Sequence, residues 1–384
     1  MIYLDFAATT PLSSEAMHAY EHVSKAIYGN TSSLHDEGTT AKHILESCRN
    51  ELAKLLHCEK DGIYFTSGGT ESNFLAIQSL VRGNSKKGKH IITSSIEHAS
   101  IYHLVKQLEV EGYDVSFLPV DEFGLVSLQA LKETVRDDTC LVSIQHGNSE
   151  IGTTQTLQDI GKFLHDKGII FHSDCIQTFG KIEVDVKQLH VDALSISAHK
   201  IYGPKGVGAI YIKPSVRWEP VIPGGTHERG MRHGTVNVAG VAAFVTAAQL
   251  TCQEMLSNAK RTNELRKLLI QLIEEELDFI HVEGHPKNVL QNIVGLRLHG
   301  VEGQHVMLEC NRKGIAISTG SACQVGSTSP SRVMIATGKS VEEAHELFRV
   351  SFGKQTTEED IVFLTQVLKQ IMADWQIKGV KMPL

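Results

Sequence analysis

Ile169-Ile170-Phe171-His172-Ser173-Asp174 and, further along, Ala193-Leu194-Ser195-Ile196-Ser197-Ala198-His199-Lys200 decide the fold of this sequence. Each is a strand-length apolar run that gives way to a charged residue, without the polar alternation of a sheet that has one face in water. Strands buried on both faces belong to sheets covered by helices on both sides. Working outward, five more runs of this kind occur: Ile63-Tyr64-Phe65, His90-Ile91-Ile92-Thr93, Val115-Ser116-Phe117-Leu118, Leu141-Val142-Ser143-Ile144 and Gly208-Ala209-Ile210-Tyr211-Ile212. Helical stretches separate them, so residues 60–215 predict an α/β domain built on one large, mainly parallel sheet of seven strands.

Beyond the glycine-rich stretch 223–235, a helical pattern runs from Val238 to Leu277, with a break expected near Ser257-Asn258. It leads into a second unit containing Asn292-Ile293-Val294-Gly295-Leu296, which places a domain boundary near residue 255.

The 384 residues are 41% hydrophobic and 21% charged, enough apolar content to exclude a disordered chain. Lysine and arginine number 37 against 44 acids, a net charge of −7 with no basic stripe. This argues against a nucleic-acid or membrane-surface protein and points to small molecules or proteins as partners. The opening residues carry Asp5 and no basic segment followed by an apolar one, and no stretch approaches about 18 apolar residues, so a cytoplasmic location is expected. Seven cysteines with no C-x-x-C pair suggest neither a disulfide framework nor a structural zinc site; free thiols and no metal are expected.

Two glycine-rich segments are decoys. Gly83 to Lys89 lacks the serine or threonine of a phosphate loop and precedes a strand; Gly203 to Gly208 has the wrong spacing for a dinucleotide fingerprint. Thr66-Ser67-Gly68-Gly69-Thr70-Glu71-Ser72 is better placed, between the Ile63 strand and a helical run. Its free N–H groups and hydroxyls suit a phosphate, although the pattern also serves an ordinary strand-to-helix turn. Asp174 and Lys200 then fall at the ends of two strands, where open α/β sheets bind ligands. A lysine for a Schiff base, a carboxylate for a pyridine nitrogen and a phosphate cup are together what pyridoxal phosphate chemistry needs.

In these residues the chain resembles the cysteine desulfurases of the NifS/IscS type, fold-type I enzymes of the class V aminotransferase superfamily. The resemblance covers nearly the whole chain. Its markers are Leu4 to Pro11, Tyr28 to His35, Ser67 to Asn73, Glu97-His98, Asn148 to Gly152, Asp174 to Gln177, Ser197 to Gly206, Arg232 to Thr235 and Ser318 to Cys323.

The resemblance implies pyridoxal 5'-phosphate as cofactor, Lys200 as Schiff-base lysine and catalytic base, Asp174 as partner of the pyridinium nitrogen, and His98 as a catalytic residue stacked on the ring and assisting proton transfer. It implies Gln177 and Asn148 beside the ring oxygen, Gly69 in the cofactor site, and Thr70, Ser197 and His199 on the phosphate, with Thr235 reaching it from a second subunit of a homodimer. Asn30 and Arg349 would bind the substrate, Arg349 through its carboxylate. Cys323, in a stretch rich in serine, threonine and glycine, would take sulfur from L-cysteine as a persulfide and leave alanine. Sulfur would pass to an acceptor protein, a scaffold or a dedicated client, for iron–sulfur cluster or other sulfur-cofactor assembly.

The loop from Cys323 to Pro330-Ser331 resembles the longer, group I form, and the chain ends without the extended tail some relatives use for docking, which favours a narrower acceptor. The implied domains are 15–255, and 1–14 with 256–384 as a smaller α+β unit. Phe6, Thr31 and Gly69 depart from the family's usual residues, and Cys175 stands where a small residue is usual. The competing readings are a selenocysteine lyase or class V transaminase, and a non-catalytic sulfur-trafficking protein.

Overall fold

The computed structural model describes residues 1–320 and 329–377. All seven expected strands form one sheet. They are β2 (Ile63–Thr66), β3 (His90–Ser94), β4 (Asp114–Leu118), β5 (Thr139–Ser143), β6 (Ile170–Asp174), β7 (Ala193–Ser197) and β8 (Gly208–Ile212), preceded by the short β1 (Ile2–Tyr3) outside it. The order is β2-β8-β7-β6-β5-β3-β4. Only β8 runs against its neighbours β2 and β7; the other pairs are parallel.

Alternate residues of each strand feed two different cores, which is why these strands carry no polar face. Phe65, Ile92, Phe171, Leu194 and Ile196 pack with helices Asp36–Leu55 and Val238–Gln253. Tyr64, Ile91, Leu141, Ala193 and Ile210 pack on the other side with helices Gly69–Gly83 and Ala99–Val110. Edge strand β4 is the exception, with Asp114 exposed and only Leu118 fully buried. Phe171 is wholly buried at the sheet centre, and truncation to alanine would cost about 3–5 kcal/mol.

A third core is built on an antiparallel sheet of β9 (Ile280–Glu283), β10 (Ile293–Leu298), β12 (Ser318–Thr319) and β13 (Leu347–Ser351), in the order β12-β13-β10-β9. Helices Met255–Glu276 and Glu358–Ile377 contribute Leu265, Leu269, Leu364 and Leu368 to it. The N-terminus joins this unit: β1 pairs with β11 (Ile315–Ala316), and Leu4 lies in its core.

The long helical pattern breaks at Glu254, not near Ser257-Asn258. The Glu254 N–H turns back to Leu250 O and Cys252 O, closing the first helix. Ser257 Oγ and the Asn258 N–H both bond Glu254 O, so the polar pair builds the first turn of the second helix.

Candidate active site

A cavity of about 370 Å³ opens where β6 and β7 end, between Lys200, Asp174, Gln177, His98 and Arg349, a size usual for small-molecule sites. Lys200 sits on the 3-10 turn Ala198–Lys200 directly after β7, and its Nζ donates to Ala7 O at 2.6 Å and Ala8 O at 2.8 Å. Those carbonyls belong to the N-terminal segment, which Thr10 ties to the same turn by bonds from its N–H and hydroxyl to His199 O.

Asp174 ends β6 with both oxygens engaged: Oδ1 accepts from the Ile176 N–H at 2.9 Å and Oδ2 from Asn73 Nδ2 at 2.8 Å. Asn73 Nδ2 also reaches Ser100 Oγ, which lies 2.8 Å from His98 Nδ1. His98 in turn caps helix Ala99–Val110, its Nδ1 accepting from the Ser100 N–H. One polar network therefore links the strand-end acid to the histidine. Asn73 and Ser100 were not singled out in the sequence; their role follows only from helix Gly69–Gly83 packing against both β6 and helix Ala99–Val110.

The phosphate cup can be tested on the chain itself. Helix Gly69–Gly83 starts with no side-chain cap, and Gly68 adopts φ +149°, open to glycine alone. Gly69 and Thr70 line the cavity, and nearby Ser197 Oγ is buried with no hydrogen-bond partner. An uncapped helix start beside an unsatisfied buried hydroxyl fits an anion such as a phosphate. His199, whose Nδ1 lies 3.2 Å from Thr9 Oγ1, is held neutral: burial and then Lys200, Lys205 and Lys181 pull its pKa down to about 4. The departure at Gly69 has a local reason. A Cβ there would lie 2.3 Å from Ile176 Cδ1, so the bulkier Ile176 fills the space of the usual alanine methyl.

Arg349, on β13 and nearly inaccessible, donates to Ser149 O at 2.7 Å and pairs with Asp5 Oδ1 at 2.6 Å. It also borders a smaller cavity of about 60 Å³ that shares His98 and Ser149 with the larger one. Gly320 and Pro330 both line this smaller space. Two acids stand there, Glu97 buried and Glu150 half-buried. Glu97 takes Ser94 Oγ and the Gln145 N–H on Oε1, leaves Oε2 without a partner, and is pushed up to about 8 by burial. Glu150 accepts from Ser331 Oγ at 2.5 Å and is pushed up to about 7 by burial. Both lie in the Glu97-His98 and Asn148–Gly152 motifs, but neither was read as a site residue.

Not every expected residue meets the cavity. Asn148 lines only the smaller space: its Oδ1 accepts from the Glu150 and Ile151 N–H groups and its Nδ2 points to Ile96 O. Asn30 and Thr235 are exposed within this chain, and neither lines the large cavity. Cys323 lies outside the described residues, as does most of the loop read as the group I form. At the six other cysteines burial disfavours the thiolate. Burial pushes Cys48, Cys140 and Cys252 up to about 11 and Cys58, Cys175 and Cys310 up to about 12. Cys175, for all its adjacency to Asp174, sits in the core with Sγ 4.0 Å from His146 Nδ1. Away from the cavity, His57, Glu183 and Asp185 bring ligand-type atoms within 4.8 Å of one another, but Asp185 is already engaged by the Lys187 and Gln188 N–H groups.

With a cavity at the ends of the central parallel strands of a seven-stranded sheet, the fold is that of the fold-type I pyridoxal phosphate enzymes. Residues 2–364 match the family model of aminotransferase class-V, and the chain belongs to that family. A Bacillus subtilis (strain 168) protein that carries the provisional name cysteine desulfurase NifS is 49% identical over 98% of this chain and 95% of its own. Cysteine desulfurase IscS of Dictyoglomus turgidum is 42% identical over 97% of this chain and 94% of its own. A solved NifS-like protein superposes with a TM-score of 0.91 at 32% identity, covering 97% of this chain and 99% of that one. Among the described residues no helix is long and apolar enough to cross a membrane.

Proposed function

We propose that the protein is a pyridoxal phosphate-dependent cysteine desulfurase, converting L-cysteine to L-alanine and moving the sulfur onto Cys323 for an acceptor protein. The observation that carries this reading is the convergence of Lys200, Asp174 and the uncapped Gly69 helix start on one cavity that Arg349 also lines. Nearly full-length similarity to proteins named cysteine desulfurase supports the choice of substrate.

Gly69, Thr70, Ser197 and His199 would hold the phosphate, joined by Thr235 from the second subunit of a homodimer. Asp174 would hold the ring nitrogen's proton, kept in place by Asn73 and the Ile176 N–H. Gln177 would bond the ring's phenolic oxygen, and His98 would stack on the ring. When bound, pyridoxal phosphate supplies the electron sink for charge that develops at the substrate α-carbon.

The remaining chemistry belongs to the chain. The Arg349 guanidinium binds the substrate carboxylate with the fork suited to it, beside Asn30. Lys200 Nζ takes and returns protons at the substrate carbons, in reach because its turn fixes it at the cavity wall. The Cys323 thiolate attacks the substrate sulfur, so the carbon–sulfur bond breaks as the sulfur–sulfur bond forms. The products are alanine and a persulfide on Cys323. Burial disfavours the thiolate at the six other cysteines, which is consistent with Cys323 as the nucleophile of this reading.

The test is alanine formation and sulfide release from L-cysteine with a thiol reductant, for wild type and Cys323→Ala at equal cofactor content. Alanine and sulfide from wild type, with sulfide lost in the variant, support the reading. Equal sulfide release from both removes Cys323 from the sulfur path, and no release from either removes L-cysteine as the substrate.

A further inference from the structure

We infer that Lys181 is a positioning residue of this site, holding the Gln177 carboxamide with its NH2 end toward Lys200; the inference rests on Lys200 being the cofactor lysine. Lys181 Nζ lies 3.2 Å from Gln177 Oε1. Gln177 Nε2 donates to Ala7 O at 3.0 Å, and Ala7 O also accepts from Lys200 Nζ at 2.6 Å. The two lysines are thus joined through one amide and one carbonyl.

This chain has a direction. In its protonated form Lys181 only donates, and so fixes the oxygen end of the Gln177 amide on its own side. The amide then presents only a donor to the cavity. Reversed, it would set an NH2 group against the ammonium and an oxygen against Ala7 O, losing two hydrogen bonds at a residue only 6% exposed. A donor is what an ionised phenolic oxygen of the bound ring would need.

The surroundings of Lys181 are themselves cationic, so it carries its charge only in the lower part of the pH range. Burial, Lys200 and Arg349 pull its amine down to about 7. His199, also near it, is itself held neutral. Across the adjoining cavity of about 70 Å³ stand Arg261, bonded to Gly353 O and Thr356 O, and Lys354, paired with Glu254 at 2.6 Å. The nearby acid Asp174 is already held by Asn73 and the Ile176 N–H. Below about pH 7, where Lys181 holds its proton, the positive charge and the fixed amide therefore act in one direction, both disfavouring a proton on the Lys200 nitrogen.

The experiment follows the visible absorption of wild type, Lys181→Met and Lys181→Gln, each reconstituted with pyridoxal phosphate, as a function of pH. Methionine removes charge and hydrogen bond at similar length; glutamine retains a donor without the charge, a milder change should methionine impair folding. The midpoint of the spectral transition is expected to rise by roughly one pH unit in Lys181→Met and by less in Lys181→Gln. A midpoint unmoved in both variants overturns the inference. Failure of wild type itself to develop a visible band, or a band that persists in Lys200→Ala, would instead overturn the reading of Lys200, which keeps the two failures distinct.

Discussion

Asn73 Nδ2 stands 2.8 Å from Asp174 Oδ2 and 3.0 Å from Ser100 Oγ, so one side-chain amide holds the strand-end acid and, through the serine, the His98 ring. Replacing it with alanine frees Asp174 Oδ2 to rotate while leaving the carboxylate in place. A hydrogen bond to a charged group contributes about 1.5–3 kcal/mol. Asn73→Ala should therefore bind pyridoxal phosphate roughly tenfold more weakly, measured by titrating the apoprotein, and should also lower the apoprotein's melting temperature, because the same bond is already made between buried groups before the cofactor binds.

The packing of Gly69 on Ile176 makes a second prediction. Gly69→Ala puts a methyl 2.3 Å from Ile176 Cδ1, the far end of a side chain that can turn. Ile176 lines the cavity, so turning it displaces bound cofactor more than it unfolds the protein. Gly69→Ala should lose cofactor affinity with a stability change under about 1.5 kcal/mol. Adding Ile176→Val, which removes the clashing atom, should restore affinity, giving a coupling between the two sites in a double-mutant cycle.

What could be read in the sequence divides along physical lines. The seven strands were legible because both faces of each are apolar, a local property of runs such as Ile91-Ile92 and Leu194 to Ile196. Lys200 and Asp174 were legible because they follow those runs directly. Asn73, Glu150 and Lys181 were not, because each is an ordinary polar residue in its own segment and meets the site only through another part of the fold. The helix break was misplaced because Ser257 and Asn258 are as suited to a first turn as to a break, and only the hydrogen bonds to Glu254 O distinguish the two.

Arg349 shares its guanidinium between Ser149 O and Asp5 Oδ1, so the N-terminal segment sets the orientation of the arginine. Asp5→Asn keeps the size but removes the counter-charge. The arginine then loses its fixed pose, and KM for L-cysteine should rise about tenfold while kcat changes less. Steady-state kinetics across both parameters checks this; an equal fall in kcat and kcat/KM would show that Asp5 acts on the chemical step.

Glu150 predicts a pH dependence of stability. Burial raises its folded-state pKa to about 7, whereas the unfolded chain titrates near the ordinary glutamate value of 4.5. Between these values the unfolded state has released a proton that the folded state still holds, so raising the pH favours unfolding throughout the window. This group's contribution is full below pH 4.5 and lost by about pH 7, a difference on the order of 3 kcal/mol. Glu150→Gln preserves an acceptor for Ser331 Oγ and cannot ionise. Denaturant melts at pH 5 and pH 7.5 should show the variant gaining stability relative to wild type at the higher pH. A constant gap between the two proteins at both pH values would mean that Glu150 is ionised across the range and that Ser331 donates to a carboxylate.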